Sequence, residues 1–473
     1  MNRVLVADRV AEHITAATNS EDVDTGPYAT KTSAKWLALA MLMIGAVTLY
    51  LNQQILSVLI LPIQSDLNLN DTQISLLIGF AFVGTFALAG FPLGRMVDRV
   101  NRFKLIAAGI IIWSVTTALC GVANSFWQLF VLRMAVGIGE AVLGPAAYSL
   151  MPDLFPPRRL GLTISLFTVS LLVGGGLAMA VGGNIMGALA AYDHIDVPLL
   201  GAMESWRVTL LVVGVPSTLV GVWAFLTPEP PRRGTFVNQQ PAVSEVMRYL
   251  RANTGAIANL IVSWGFLAVT ILSMAAWTPT FLIRTYGWTT QEAGVSYGIT
   301  LVISAMGAIL GGALSDRAAV ARPNGRLVMM MSAATMTVPI FALLSLAGSG
   351  TSALMFIGSA GFLINVAAAA FPPALQEAVP NRMRGLSSGI ALATATFIGY
   401  SVGPTAVALV TDYVLKDPAL IGMSLSIVLP IAVLISVGFA YRSGKNYANA
   451  HENAMQWVPE RVADSVPRRS PPV

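Results

Sequence analysis

Long uncharged runs of apolar residues alternate with short polar segments along most of this 473-residue chain. A helix needs roughly 20 apolar residues to cross about 30 Å of hydrocarbon, and the pattern provides twelve such runs. We therefore predict an all-α integral membrane protein with twelve transmembrane helices. The predicted runs are Trp36–Ser65, Thr72–Gly94, Leu105–Leu132 (the third span and the start of the fourth, which continues to Pro152), Leu162–Tyr192, Val208–Pro228, Gly255–Ile283, Ala293–Ser315, Leu327–Gln376 (two spans), Leu386–Thr411 and Pro418–Tyr441.

Two short patterns each occur twice, in the same order. Gly-x-x-x-Asp-Arg begins at Gly94 and again at Gly312. An acid-x-x-Pro-x-Arg-x-x-Gly pattern begins at Asp153 and again at Glu377. The two copies of each pattern are separated by nearly the same length of chain. Matching separations indicate two parallel six-helix repeats, an organisation typical of secondary transporters.

The repeat gives a division of the chain into five parts. The longest internal polar stretch carries Val243, Val246, Met247 and Leu250 at helical spacing, which predicts an amphipathic helix on the membrane surface. We expect the two terminal segments to be disordered. The predicted parts are an N-terminal arm (1–34), a first six-helix bundle (35–228), a linker with the amphipathic helix (229–253), a second six-helix bundle (254–441) and a tail (442–473).

Composition agrees with a membrane protein and explains the basic net charge. Hydrophobic residues make up 55% of the chain and charged residues 11%, whereas a soluble chain carries about 25% charged residues. On the predicted topology, 24 of the 28 lysines and arginines lie on one side of the membrane. Cytoplasmic loops collect such residues, so we predict a multi-pass protein of the cell (inner) membrane with both termini cytoplasmic. The net charge of +5 is thereby explained, and nucleic-acid binding is not predicted.

One arginine and one glutamate lie inside the fourth predicted span. Arg133 and Glu140 are seven residues apart, so on a helix they are about 20° apart in azimuth and roughly 10 Å apart in height. Ionisable groups at this depth are costly and usually face a cavity or a partner. Arg133 offers a rigid fork of donors for a carboxylate or phosphate, and Glu140 is a candidate proton carrier. The alternative is a permanent structural ion pair.

Further polar and aromatic residues within the spans are candidates for lining a substrate cavity, although aromatic residues near span ends also mark the membrane interface. These residues are Tyr50, Asn52, Gln53, Gln54, Trp264, Trp277, Asn365 and Tyr400.

The residues that an enzyme or an ATP-driven pump would need are missing. Cys120 is the only cysteine, and the three histidines lie far apart in polar segments. The sequence contains no phosphate-binding Gly-x-x-x-x-Gly-Lys loop. We therefore predict a protein that is not an enzyme and that holds no cofactor or metal.

The stretch from Gly94 through Asp98 and Arg99 resembles the loop signature of the major facilitator superfamily. Over about residues 45–185 the chain resembles the spinster-type members, in the motifs that begin at Tyr50, Arg133 and Asp153. The resemblance implies alternating access, with two halves rocking about a central cavity that Arg133 and Glu140 line. One departure of this chain from the family's motifs affects the prediction of proton coupling.

Spinster-type members usually have Asp-Arg where this chain has Asn52-Gln53. The family's first-span acid is implicated in proton coupling, and an amide cannot release a proton. Glu140 is therefore the one remaining carboxylate deep in the first six spans.

Charged residues at the basic side are candidates for a gate that forms and breaks during transport. The alternative, that they are ordinary loop charges, does not explain an aspartate that occurs twice. The candidate gating residues are Asp98, Arg99, Arg102, Asp153, Asp316, Arg317 and Glu377.

Together these features predict a secondary active transporter, proton-coupled, that moves an amphipathic or anionic, lipid-like small molecule by alternating access. Alternatives are a proton symporter that imports a carboxylate, an uncoupled facilitator, and a channel or sensor derived from a transporter. The expected partners are the small-molecule substrate, protons and the lipid bilayer, and we expect a monomer.

Overall fold

The computed structural model describes residues 32–97, 99–192, 194–198, 200–232 and 243–457. Four predictions fall wholly or partly outside these residues: nearly all of the N-terminal arm, the gating role of Asp98, residues 233–242 of the linker, and the last part of the tail. Within the described residues the chain is helical, apart from one small antiparallel sheet.

Eighteen α-helices and two strands follow one another along the described chain. They are α1 (Thr32–Val58), α2 (Ile60–Leu67), α3 (Asp71–Ile78), α4 (Phe80–Val97), α5 (Arg102–Cys120), α6 (Phe126–Glu140), α7 (Leu143–Leu154), α8 (Pro157–Leu189), β1 (Ile195–Val197), β2 (Gly201–Met203), α9 (Ser205–Leu226), α10 (Val243–Ala252), α11 (Ile257–Tyr286), α12 (Thr290–Ala321), α13 (Gly325–Thr335), α14 (Thr337–Ala342), α15 (Gly350–Ala368), α16 (Phe371–Glu377), α17 (Arg384–Leu409) and α18 (Ile421–Gln456).

The prediction of twelve membrane spans is confirmed, since twelve helical segments are long and apolar enough to cross a membrane. In order, these spans are α1, α3–α4, α5, α6–α7, α8, α9, α11, α12, α13–α14, α15–α16, α17 and α18. We call the end of the spans that carries Arg102 and Arg326 the basic end, and the end that carries Arg207 and Arg284 the opposite end.

Two local elements differ from the sequence-based expectation. The last helix continues to Gln456, so residues 442–456 of the expected tail are helical. Between the fifth and sixth spans, β1 pairs with β2 in an antiparallel hairpin that was not predicted. Strands of three residues are too short to give a recognisable alternation of apolar and polar positions.

Several spans begin at side chains that cap their first backbone N–H groups. Asn70 forms a capping box with Gln73 at the start of the second span, and Thr289 does so with Glu292 at the eighth. Asn101 accepts a hydrogen bond from the backbone N–H of Lys104 at the start of the third span. These caps fix where the helices begin and satisfy donors that would otherwise be unpaired.

The linker helix α10 packs against the second six-helix half. Val246 and Tyr249 are buried. The Tyr249 hydroxyl donates to the carbonyl oxygens of Ala378, at 3.1 Å, and Ala450, at 3.4 Å. Burial raises the pKa of Tyr249 to about 12. Protein contacts, rather than the expected membrane surface, therefore cover this side of the helix.

The two six-helix halves meet along three pairs of spans: the first with the seventh, the second with the eleventh, and the fifth with the eighth. The second span is interrupted at Gly79, because the backbone carbonyl of Tyr400 in the eleventh span approaches this residue closely. The fourth span is interrupted directly after Glu140, and the tenth after Ala368. Helix ends at membrane depth occur where the backbone is enclosed by protein or lines a cavity.

Candidate functional site

Three of the predicted site residues form a hydrogen-bonded chain that connects spans of the two halves. The side-chain nitrogen of Gln53 in the first span donates to Oε2 of Glu140 in the fourth span, at 2.9 Å. The hydroxyl of Tyr400 in the eleventh span donates to the side-chain oxygen of Gln53, at 3.1 Å. All three side chains are buried. We call this arrangement the central bridge.

The chemistry of an amide fixes the direction of the central bridge. An ionised carboxylate only accepts, so the NH₂ group of Gln53 must face Glu140. The amide oxygen then faces Tyr400 and accepts from its hydroxyl. The second carboxylate oxygen of Glu140, Oε1, is buried and has no hydrogen-bond partner among the described residues. One oxygen of Glu140 thus accepts a hydrogen bond from Gln53, and the other oxygen is available to accept a proton.

Arg133 lies near the central bridge but does not form an ion pair with Glu140. It is 2% exposed, and its Nε has no partner within the described part of the chain. The centre of its guanidinium lies 5.8 Å from the centroid of the Phe82 ring. Phe82 also makes an edge contact with Tyr400, at 5.4 Å between centroids. Arg133 therefore approaches the bridge through an aromatic ring rather than through a salt bridge.

The surroundings of Arg133 are otherwise apolar. Arg133 lines a small enclosed space of about 10 Å³, close to the volume one water requires. An unpaired cation in such surroundings is costly unless an anion approaches it. The other residues that line this space come from the first, second and fourth spans and from α2, which follows the first span: Leu56, Ile60, Ile63, Ile74, Leu77, Ile78 and Leu129.

The other predicted first-span residues lie outside the central bridge. The Asn52 amide nitrogen donates to the Thr48 carbonyl one turn earlier, at 2.7 Å, and its oxygen is buried without a partner in the described chain. Tyr50 packs against Gly174 of the fifth span. Gln54 is 8% exposed, like Gln53. None of these three contacts Glu140 through a hydrogen bond.

The predicted residues of the second half other than Tyr400 are also separate from the bridge. Trp264 stacks on Phe371, with ring centroids 4.0 Å apart, and thereby joins the seventh and tenth spans. Asn365 donates to the Gly361 carbonyl in its own helix. Trp277 is fully buried and donates to the Pro404 carbonyl, which makes it a packing residue rather than a cavity-lining one.

A polar cluster joins the two halves at the opposite end. The two terminal nitrogens of Arg284 each bond one oxygen of the Asp71 carboxylate, both at 2.8 Å. Gln64 bonds both groups: it accepts from Arg284 at 2.7 Å and donates to Asp71 at 2.7 Å. Asp71 is 2% exposed. We call this group the opposite-end clasp.

Further contacts between the halves surround the clasp. Asp412, after the eleventh span, accepts from both the backbone N–H and the hydroxyl of Thr72, at 2.7 and 2.6 Å. Gln291 of the eighth span donates to Asn184 of the fifth, at 2.9 Å. The opposite end is therefore held closed by hydrogen bonds from three pairs of spans.

At the basic end, the ion pairs of Arg102 do not cross to the second half. Arg102, which is 2% exposed, contacts Asp153 at 2.6 Å and Glu229 at 2.7 Å. It also bonds the carbonyl of Ser149. The arginine at the start of the third span thus ties together the ends of the fourth and sixth spans.

The second half contains a matching cluster. Arg326 contacts Glu377 at 2.9 Å and Asp316 at 2.8 Å. The Tyr447 hydroxyl donates to the second oxygen of Glu377, at 3.0 Å. Arg326 occupies the place of Arg102 and Glu377 that of Asp153, since the same length of chain separates the members of both pairs. We call the two groups the basic-end clusters.

Glycines mark two places where the halves approach closely. A side chain at Gly79 would collide with the Tyr400 backbone, and one at Gly298 would lie 2.6 Å from the Gly176 carbonyl oxygen of the fifth span. By contrast, Gly90 of the second span and Gly389 of the eleventh have nothing within 4 Å of the same position. The second span thus packs closely against the eleventh at Gly79, and the fifth against the eighth at Gly298.

The Major Facilitator Superfamily model matches residues 42–404. The chain belongs to this superfamily. An MFS-type efflux pump of Mycolicibacterium smegmatis is 28% identical over 413 residues, which cover 85% of this chain and 90% of that protein. Protein spinster homolog 3 of Danio rerio is 27% identical over 431 residues, which cover 84% and 82% of the two chains.

The fold matches that of a solved bacterial homologue of the human lysosomal transporter spinster, in an inward-facing and unoccupied conformation. The TM-score is 0.75 at 24% identity, over 90% of this chain and 99% of that one. The predicted resemblance to spinster-type members is confirmed. The chain is accordingly a multi-pass membrane protein and a secondary transporter of small molecules, not an enzyme.

Several site residues of this superfamily member escaped the sequence analysis. Arg326 was detectable, because it follows Arg102 by the same length of chain that separates Asp153 from Glu377. Arg284 also carried a signal as one of the few basic residues of the opposite end. Gln64, Asp71 and Asp412 gave none, since only the packed structure brings them to the other half. Of the predicted gating residues, Arg99 and Arg317 are exposed at the basic end.

Proposed function

We propose that this transporter couples proton movement to alternating access through Glu140. The observation that carries the proposal is the central bridge, in which one amide joins the Glu140 carboxylate of the first half to the Tyr400 hydroxyl of the second. A change in the charge of Glu140 therefore acts on a contact between the halves. With Asn52 in place of the expected acid, Glu140 is the proton carrier of the first half.

The coupling works through the strength of the hydrogen bonds. A bond to an ionised carboxylate is roughly twice as strong as a neutral one, and neighbouring bonds in a chain reinforce each other. Protonation of Glu140 weakens the Gln53 contact and, through it, the bond from Tyr400. The halves are then freer to separate at the centre, which favours opening of the opposite end.

We propose an anionic, amphipathic substrate. Arg133 is buried, its Nε has no partner in the described chain, and its donors suit a carboxylate or phosphate. The apolar side chains of Leu56, Ile60 and Ile78 beside it suit a hydrocarbon portion. Arrival of the anion reduces the electrostatic hold of Arg133 on the Glu140 carboxylate, which favours its protonation.

The basic end is proposed to be cytoplasmic, because it carries most of the lysines and arginines. The described conformation then opens toward the cytoplasm, with the clasp of Arg284 and Asp71 closing the outer side. The transporter is proposed to act as a monomer in the cell (inner) membrane, with both termini cytoplasmic.

Transport by purified protein in proteoliposomes tests the proposal. An imposed pH gradient should drive accumulation of single-chain anionic amphiphiles, and Glu140→Gln should abolish accumulation while leaving downhill exchange. Arg133→Ala should remove anion binding but not the fold, and Arg133→Lys should restore part of it. Accumulation by Glu140→Gln at the wild-type rate would remove this residue from the coupling.

The same assay separates the alternatives. The observation that favours an uncoupled facilitator is the amide at Asn52, which leaves the first span without an acid. Equal flux with and without a proton gradient would establish that function. Accumulation of short carboxylates, with none of the amphiphiles, would identify an importer of organic acids that uses the same Arg133.

A further inference from the structure

A second cavity lies at the basic end of the second half, away from the central bridge. Its volume is about 430 Å³, within the range of pockets that hold small organic ligands. One wall is the segment from Glu377 to Arg384, which connects the tenth and eleventh spans. The other wall is the end of the last helix. This second wall carries His451, Ala454, Met455 and Trp457.

The cavity offers an excess of positive charge. Arg382 and Arg384 line it and are exposed, and Arg384 is oriented by its bond to the Gln376 carbonyl, at 2.9 Å. The carboxylate of Glu377, also in the lining, is occupied by Arg326 and by the Tyr447 hydroxyl. The excess charge suits a phosphate or another anion.

The His451 ring is held in the cavity wall by a backbone contact. Nδ1 of His451 lies 3.0 Å from the Glu377 carbonyl, which only accepts, so Nδ1 carries the hydrogen and this bond orients the ring.

The apolar part of the lining favours a lipid over a soluble anion. Met455 is 69% exposed, and Trp457 follows it at the end of the last span, where tryptophan typically marks the membrane interface. Pro380 and Val379 extend the apolar surface inward. Basic pockets beside membrane helices are typical sites for anionic headgroups. We infer that this cavity binds the headgroup of an anionic phospholipid from the leaflet at the basic end.

Lipid titration of the purified full chain in mixed micelles tests this inference, with thermal unfolding as the readout. Phosphatidylglycerol should raise the unfolding temperature at lower concentrations than phosphatidylcholine does. The double variant Arg382→Gln/Arg384→Gln should weaken the apparent affinity for phosphatidylglycerol by roughly tenfold or more, because charge-assisted bonds are lost.

A matched control removes two exposed arginines of the same end that lie outside the cavity, as Arg251→Gln/Arg322→Gln. This control should change the affinity less than about twofold. If the pocket variant does not fold, Arg382→Lys/Arg384→Lys keeps the charge and should give an intermediate loss. Equal losses in the pocket and control variants would overturn the inference, and so would an equal stabilisation by inorganic phosphate alone. The test does not depend on any transport activity.

Discussion

The two ends of the membrane domain use the same chemistry with opposite connectivity. At the opposite end, Arg284 of the second half holds Asp71 of the first. At the basic end, Arg102 and Arg326 each hold acids of their own half. Each arginine lies between two polar partners. What differs is whether the pair crosses the interface.

This difference shows how the described conformation is selected. Pairs that cross the interface are lost when the halves separate, whereas pairs within a half survive the rocking motion. We therefore expect the clasp to belong to one conformation and the basic-end clusters to persist in both. A few kcal/mol from pairs that cross the interface is enough to determine which of two conformations is more populated.

One distance reports on the clasp directly. Spin labels at Ser65→Cys in the first half and Ala419→Cys in the second lie on exposed positions of the opposite end. The native Cys120 is buried, and its replacement by serine removes it as a labelling site. The distribution of distances between these labels is called the opposite-end distance below.

Removal of the clasp arginine should have the largest effect. Arg284→Ala leaves the Asp71 carboxylate buried without its cation, which costs about 3–5 kcal/mol in the closed conformation. The opposite-end distance should shift strongly toward longer values. Arg207→Ala is the control, since Arg207 pairs with Asp66 of its own half at the same end. An equal shift in both variants would contradict the special role of the clasp.

The basic-end clusters should respond differently from the clasp and from each other. Arg102 is almost fully buried, so Arg102→Ala should destabilise the protein by about 3 kcal/mol. The Asp316 partner of Arg326 is 76% exposed, so Arg326→Ala should cost only about 1 kcal/mol. Thermal unfolding should rank the two in that order, with the opposite-end distance nearly unchanged. A shift of the opposite-end distance toward longer values in either variant would show that these clusters also determine the conformation.

Close packing at a glycine should shift the opposite-end distance less than removal of the clasp arginine does. Gly79→Ala places a methyl group against the rigid Tyr400 backbone, which should cost about 1–3 kcal/mol and lengthen the opposite-end distance. Gly84→Ala, in the same span, adds a methyl group to open space and should leave the distance unchanged. If both variants keep the short distance, the close approach at Gly79 does not hold the halves together.

The number of spans and the two-fold repeat could be predicted from the sequence, because both depend on local composition and spacing. It also identified Gln53, Glu140 and Tyr400 as candidates. Their connection could not be predicted, since it depends on the relative rotation of three helices that lie far apart in the chain. The clasp was inaccessible for the same reason: Asp71 and Arg284 lie in different halves of the chain.

The absence of an ion pair between Arg133 and Glu140 also could not be predicted from the sequence. Seven residues on one helix place two side chains on the same face, and the spacing alone suggests a pair. In the structure, Gln53 takes the carboxylate and leaves the guanidinium beside Phe82. Competition from a neighbouring helix decides such cases, and the spacing along one helix contains no information about it.

The most direct test of the central claim is the opposite-end distance in lipid nanodiscs as a function of pH, in the wild type and in Glu140→Gln. The account predicts that lowering the pH lengthens the distance in the wild type, because protonation of Glu140 weakens the central bridge. Glu140→Gln, which is permanently neutral, should show the long distance at every pH. The carboxylates of Asp71 and Asp412 also lie at this end, and they are unchanged in the variant. An identical pH response in both proteins would contradict the claim that Glu140 controls the contact between the halves.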